Sequence, residues 1–422
     1  MPNAWGRWRL PAAWLAAALV PASAWAGGPL YVGGTAVNAA AQGHAMVWDT
    51  TNPVAYRTPS AGSLGKLSNA QAVMRVQQLF QFWQDVPTAN IRYQNAGAIQ
   101  ATGGYTGGAI DSAATFNAVD GSCQKGAQSP IIFDATGSVM SELGLDPSII
   151  GFAGACQLDA GGHILSAEVA MNGAWIDGNA ANGELRDNEF NEAFVHEFGH
   201  FSGLDHAQIN VDVLLQPQGN CDSAELAGLP VMFPFAQCQA RVDAGLAMLS
   251  PDDMAWISML YPETVNNPPT QIPFSSQYGI ISGSVFFHDG STLAQGVNVI
   301  ARSAANPKGV AMSVVSGYLF SGNPGQTVSG DNTGDGGLGS HDPLLIGSYD
   351  IPVLAGSYDI SIESIVADFA GGSSVGPLFF PIAAPGDAPA LRSQSIAAGA
   401  HKTGMNFTCH DSFSRFDQFE PQ

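Results

Sequence analysis

Residues 196–206 read HEFGHFSGLDH, a His-Glu-x-x-His-x-x-Gly-x-x-His pattern that takes three of the chain's nine histidines. Four positions along an α-helix advance by about 400°, so His196 and His200 project from one face. Gly203 tolerates a positive φ, which ends the helix and turns the chain so that His206 returns toward the same point. Few local patterns restrict a chain this much: a helix, a tight turn and a returning segment must all be present. At this composition the five fixed residues would arise by chance in roughly one such chain in a hundred thousand.

Three imidazoles so placed match the ligand set of a catalytic zinc site, in which a fourth position stays open to water. Glu197 follows the first ligand and reaches such a water without being a ligand itself. The expected roles are therefore metal binding for His196, His200 and His206, and catalysis for Glu197.

Beyond the motif the chain resembles the metzincin zinc metalloproteases, within them the matrixin-like branch. "LPVMFP" supplies Met232 downstream of the third histidine, as the methionine turn of that family, and Pro234 stands where astacin- and serralysin-like members carry tyrosine. "LSPDDMAWISMLYP" is similar to the closing helix of matrixin catalytic domains, and "VQQLFQFWQDV" resembles their first helix. The resemblance covers about Met46 to Pro262. It implies an α+β fold: a metzincin catalytic domain, with a twisted mixed sheet, about three helices and zinc in the cleft. It also implies a zinc endopeptidase whose partner is a polypeptide substrate.

The departures from that pattern are informative. No cysteine precedes Cys123, so a cysteine-switch latency segment is missing, and His163 alone stands where a second, structural zinc would need a cluster. Ala207 replaces the usual serine after the third ligand, and a long loop containing Cys221 separates His206 from Met232. Phe233 and Phe235 read either as an apolar specificity pocket or as core. The alternative function is a catalytically vestigial secreted adhesin or binding protein that keeps the metal site; a metalloenzyme acting on non-peptide substrates uses the same chemistry.

Elsewhere the pattern predicts strands at "PVAYRTP", "ANIRYQ", "PIIFDA" and "HILSAEVAMN", with "GFAGA" as a short edge strand. Val73, Val76, Phe80 and Trp83 recur at helical spacing, with Ser68 or Asn69 to cap, and Asp187 sits where the motif helix needs a cap. After "TVNNPPTQIPFSS" only short β-type runs remain, including "GSVFFHDGSTLAQGVNVIAR" and "YDIPVLAGSYDISI". They resemble the carboxypeptidase regulatory-like, or transthyretin-like, β-sandwiches. The organisation is thus a leader at 1–26, an arm at 27–45, the protease unit at 46–263, a stiff linker at 264–276, a small all-β sandwich at 277–408 and a polar tail at 409–422. As an appended module, the sandwich is expected to be dispensable for peptide hydrolysis.

The leader has the layout of a secretion signal: Arg7 and Arg9, an apolar stretch too short to span a bilayer, and small residues at Ala24 and Ala26. Its removal takes the formal net charge from −21 to −23. Such acidity disfavours nucleic acid and anionic membranes as partners, and no later run is long enough for a membrane span; a secreted monomer is expected. Export also permits disulfides, expected as Cys123 with Cys156 and Cys221 with Cys238, leaving Cys409 over. Asp331 and Asp335, in a Gly-rich loop with Asn332 and Asp342, offer oxygen ligands for calcium, and Asp177, Asn179, Asn182, Glu184 and Asp187 raise the same question.

Overall fold

The computed structural model describes residues 27–32, 44–125, 128–159, 161–179, 183–265, 270–287, 289–294, 296–318, 339–340, 345–363 and 392–408. The leader, the Asp331 and Asp335 loop and the polar tail lie outside them, as do Asn182 and the side chain of Cys123.

Val54, Tyr56 and Thr58 form the buried row of a strand with period two. Two short strands precede it, β1 (Tyr31–Val32) and β2 (Val47–Trp48), so it is β3 (Val54–Thr58), paired in parallel with β4 (Tyr93–Ala98). β5 (Ile131–Asp134), buried throughout, pairs in parallel with β7 (His163–Asn172), and β6 (Gly151–Leu158) pairs antiparallel with β7. β2 adds a short parallel pairing at the start of β7, and a bridge from Arg57 to Pro130 links β3 toward β5. The strands therefore follow the order β4-β3-β5-β7-β6, with β6 an antiparallel edge. The edge strand is longer than "GFAGA". "ANIRYQ" starts late because Asn90 N donates to Tyr261 O at 2.7 Å, committing that backbone elsewhere.

Helix α1 (Asn69–Gln84) buries Ala72, Val76, Leu79, Phe80 and Trp83, and starts at Ser68, whose N–H donates to Gln71 Oε1 at 2.9 Å. α2 (Ala113–Lys125) and α3 (Ser138–Glu142) were not expected; α2 shows only Phe116 and Val119 as a large apolar pair, among small and polar residues. The motif helix is α4 (Asp187–Phe201). Its cap is Arg186, not Asp187: Glu189 Oε2 accepts from Arg186 N at 2.9 Å, while Asp187 pairs with Lys66 at 2.8 Å. α1 and α4 are locked by parallel rings of Phe80 and Phe198, 3.7 Å between centroids, and by Trp83 Nε1 donating to Val195 O at 2.9 Å. α5 (Ser223–Gly228), also unexpected, is capped by Asp222, and α6 (Pro251–Leu260) by Ser250.

The second half is all β. β8 (Tyr278–Phe286), β9 (Asn298–Ser303) and β10 (Ala311–Val315) are followed by β11 (Gly339–Ser340), which pairs in parallel with β1. Then come β12 (Ser348–Leu354), β13 (Gly356–Glu363), β14 (Arg392–Ile396), β15 (His401–Lys402) and β16 (Phe407–Thr408). One sheet runs β10-β9-β13-β14; the other runs β12-β8-β15, with β16 also on β8.

The two halves are not spaced apart. One continuous buried core takes in Trp256 of α6 with Val314 of β10 and Val353 of β12. Trp256 Nε1 donates to Ser313 O at 2.7 Å, and Ser313 N donates to the buried Asp252 Oδ1 at 2.8 Å. The described part of the linker is pinned, Ile272 N to Pro87 O and Phe274 N to Glu263 O, both 2.8 Å. Nor is the start of the arm featureless: Leu30 and Val32 are buried. Gly27 lies so close to β10 that a Cβ there would stand 2.4 Å from Ser313 O. Cys221 and Cys238 are bonded, with Cα atoms 5.2 Å apart. Cys156 is disulfide-bonded as well; its expected partner Cys123 and the leftover Cys409 fall outside the described side chains.

Candidate metal centre

His196 and His200 stand one turn apart on α4, and Gly203, at φ 86°, turns the chain after the helix. The returning segment is held on both sides. Leu204 N donates to Gly199 O and Asp205 N to Gly28 O, each at 2.9 Å, and Leu30 N donates to Gly203 O at 2.7 Å. The three Nε2 atoms then meet: 3.1 Å from His196 to His200, 2.9 Å from His200 to His206 and 2.5 Å from His206 to His196.

The contact between His196 and His200 is not a hydrogen bond. His196 Nδ1 faces Val231 O at 2.7 Å and His200 Nδ1 faces Leu204 O at 2.8 Å. A carbonyl only accepts, so in these two rings Nδ1 carries the proton and Nε2 presents a lone pair. Two such acceptors 3.1 Å apart repel unless a proton or a cation stands between them. Nitrogens around a tetrahedral zinc are roughly 3.3 Å apart when each bond is ~2.0–2.1 Å, and the edges here, 3.1, 2.9 and 2.5 Å, form a tighter triangle of the same kind. Carbonyl partners on the far ring nitrogens are also what orients histidine ligands and fixes their tautomer. Burial pushes His196 down to about 4 and His200 down to about 3, keeping both neutral and competent as ligands near neutrality. The donor set fits zinc, and it is the single three-residue group of His, Cys, Asp and Glu among the described residues suited to holding an ion.

Glu197 is 6% exposed, and its Oε2 has no hydrogen-bond partner among the described residues. Burial alone pushes its carboxyl up to about 8. A Cβ on Gly151 would lie 3.0 Å from Glu197 Cγ and 2.8 Å from Met171 Sδ, so only glycine lets the edge strand β6 begin this close to the glutamate.

Met232 closes the site from behind. A Cβ on Gly199 would fall 2.2 Å from Met232 Sδ and 3.0 Å from Trp83 Cζ2, so α4 sits directly on the methionine at its one glycine. Met232 O accepts from Ala207 N at 2.9 Å, tying the turn to the residue after the third ligand. Asp253 holds the turn, accepting from Val231 N at 2.9 Å and Met232 N at 3.2 Å. Asp252 and Asp253, adjacent within "LSPDDMAWISMLYP", carry no sign in the sequence of what either acid holds. The same is true of Arg241, a buried guanidinium that donates to Leu226, Leu229 and Ala247 carbonyls at 2.7, 2.6 and 3.0 Å. No periodic signal marks such residues.

Phe233 is core: it packs with Val211, Leu226 and Val315. Phe235, 36% exposed, is the member of that pair open to solvent. Of the acids around the start of α4, Glu184 and Asp187 both turn to Lys66, at 3.7 and 2.8 Å. No helix among the described residues is long and apolar enough to cross a membrane. No known family model matches the chain, and no curated protein matches it.

Proposed function

We propose that this chain is a zinc-dependent endopeptidase of the metzincin type, matrixin-like branch, exported by its leader. The observation that carries the reading is the meeting of the three Nε2 atoms of His196, His200 and His206, next to the buried carboxyl oxygen of Glu197 that has no partner among the described residues. The sheet order with one antiparallel edge and the seat of Met232 behind α4 support the same reading.

A zinc ion on these nitrogens supplies Lewis acidity toward a scissile carbonyl and a water molecule. Glu197 takes the proton that the water gives up as its oxygen attacks the carbonyl carbon, then delivers it to the leaving amine nitrogen. The edge of β6 away from β7, which pairs with no other strand among the described residues, offers backbone donors and acceptors to an extended peptide lying antiparallel to it. The missing side chain of Gly151 keeps that edge close to Glu197.

Metal analysis of the purified mature protein, coupled to digestion of a broad peptide library, tests the proposal. One zinc per chain with peptide cleavage is expected. Zinc without cleavage of any peptide would leave a binding protein that keeps a metal site, and absence of bound metal would overturn the reading.

A further inference from the structure

β9 has two faces with different work. Val299 and Ala301 point into the sandwich core, whereas Asn298, Ile300 and Arg302, at the alternate positions, meet the segment that follows the third histidine. The match is residue by residue. Asn298 Nδ2 donates to Gln208 O at 2.8 Å, Ile300 is buried with Ile209, and Arg302 Nη1 donates to Asn210 Oδ1 at 2.7 Å. Asn210 is fixed further by its unusual backbone, φ 55°, and by its Nδ2, which donates to Glu225 O and to Lys308 O at 2.8 Å each. Lys308 pairs in turn with Glu225 of α5. Residues 201–211 are buried without interruption, so His206 stands in a segment enclosed from both sides.

We infer that the outward face of β9, through Asn298, Ile300 and Arg302, positions the third zinc ligand, making the sandwich a working part of the metal centre. The inference rests on the zinc reading above. Its physical basis is that a ligand outside the helix has no helical hydrogen bonds to hold it. His206 owes its place to what grips its neighbours. On its N-terminal side the grip comes from Gly28 and Gly199, and on its C-terminal side from Met232 through Ala207 and from β9 through residues 208–210. Asn298 and Arg302 are positioning residues that act through the backbone.

The test uses the full chain and the double variant Asn298→Ala/Arg302→Met, with Val299→Ala as a control that trims the same strand on its core face. Zinc transfer to a colorimetric chelator, the visible spectrum of the cobalt-substituted protein, and hydrogen exchange of the metal-free chain over 203–215 are measured. In the double variant, zinc release is expected to quicken by about tenfold or more, as for loss of groups that orient ligands. The cobalt spectrum should change and exchange over 203–215 should rise. The control should match wild type on all three. Wild-type zinc retention, cobalt spectrum and exchange in the double variant would overturn the inference. So would a control that changes as much, since that would mean general loosening. If the double variant does not fold, Arg302→Lys, which keeps the charge but loses the guanidinium's shape, is held to the same criteria. A wild-type chain that takes up neither metal would instead bring down the zinc reading, and this inference with it.

Discussion

His196 donates from Nδ1 to the carbonyl oxygen of Val231 at 2.7 Å, which joins a metal ligand on α4 to the residue just before Met232. The amide of that same Val231 donates to Asp253 in the first turn of α6. Asp253 Oδ2 also accepts from Ser250 N at 2.7 Å, so one carboxylate holds the methionine turn and the start of the closing helix together. The orientation of His196 therefore depends on a residue far along the chain, Asp253 on α6.

Asp253→Ala should accordingly damage both stability and metal retention. It leaves the amides of Val231, Met232 and Ser250 without that acceptor in a buried site, and each orphaned donor costs ~1–3 kcal/mol. Chemical denaturation with a parallel zinc-release assay checks this; wild-type values in both would refute the role given to Asp253.

Glu197→Gln keeps the shape of the side chain and removes its ability to exchange a proton. Peptide turnover should fall by about 10²–10⁴-fold, the range typical of general acid–base groups, while zinc content stays at the wild-type level. Turnover near wild type would remove Glu197 from the mechanism.

Gly199→Ala should destabilise the fold by ~1–3 kcal/mol, the usual cost of overpacking a filled core, because the added carbon meets Met232 and Trp83. Met232→Ala alone should cost ~2–5 kcal/mol through the cavity it leaves. The two together should cost less than their sum, since one vacates the space the other needs. Additive losses in denaturant titrations would argue against this packing.

Glu192, partly buried on α4, accepts from Arg241 N at 2.8 Å, and burial raises its carboxyl from 4.5 to about 7. Between those values the folded chain holds a proton that the unfolded chain has lost. The stabilisation is complete below 4.5 and disappears as pH rises through 7. Glu192→Gln cannot titrate, so relative to wild type it should gain stability from pH 4.5 to 7.5. Unfolding free energies that run parallel across that range would exclude this source of pH dependence.

Deleting residues 264–422 tests whether the sandwich is a dispensable appendage, as its composition suggests. The interface predicts otherwise. Trp256, Ile209 and Asp252 would lose their cover, and Asp252 its partner Ser313. The truncated chain should fail to give a cooperative unfolding transition; a soluble, cooperatively folding and zinc-retaining product would show the protease unit to be autonomous.

The meeting of His196, His200 and His206 was legible because they lie within eleven consecutive residues, where the geometry of one helix and one glycine turn fixes their relation. The cap at Ser68, one of two candidates with Asn69, the strand His163–Asn172 and the β-rich second half were readable for the same reason: their signals are local and periodic. What the chain's order of residues leaves undecided is every long-range pairing that makes the site rigid. Gln208 and Asn298 are separated by 90 positions, Asn210 and Arg302 by 92. A backbone carbonyl that accepts from a distant side chain imposes no pattern on its own neighbourhood. Which distant strand encloses His206, and which carboxylate holds the methionine turn, is settled only when the sheets and helices close on one another.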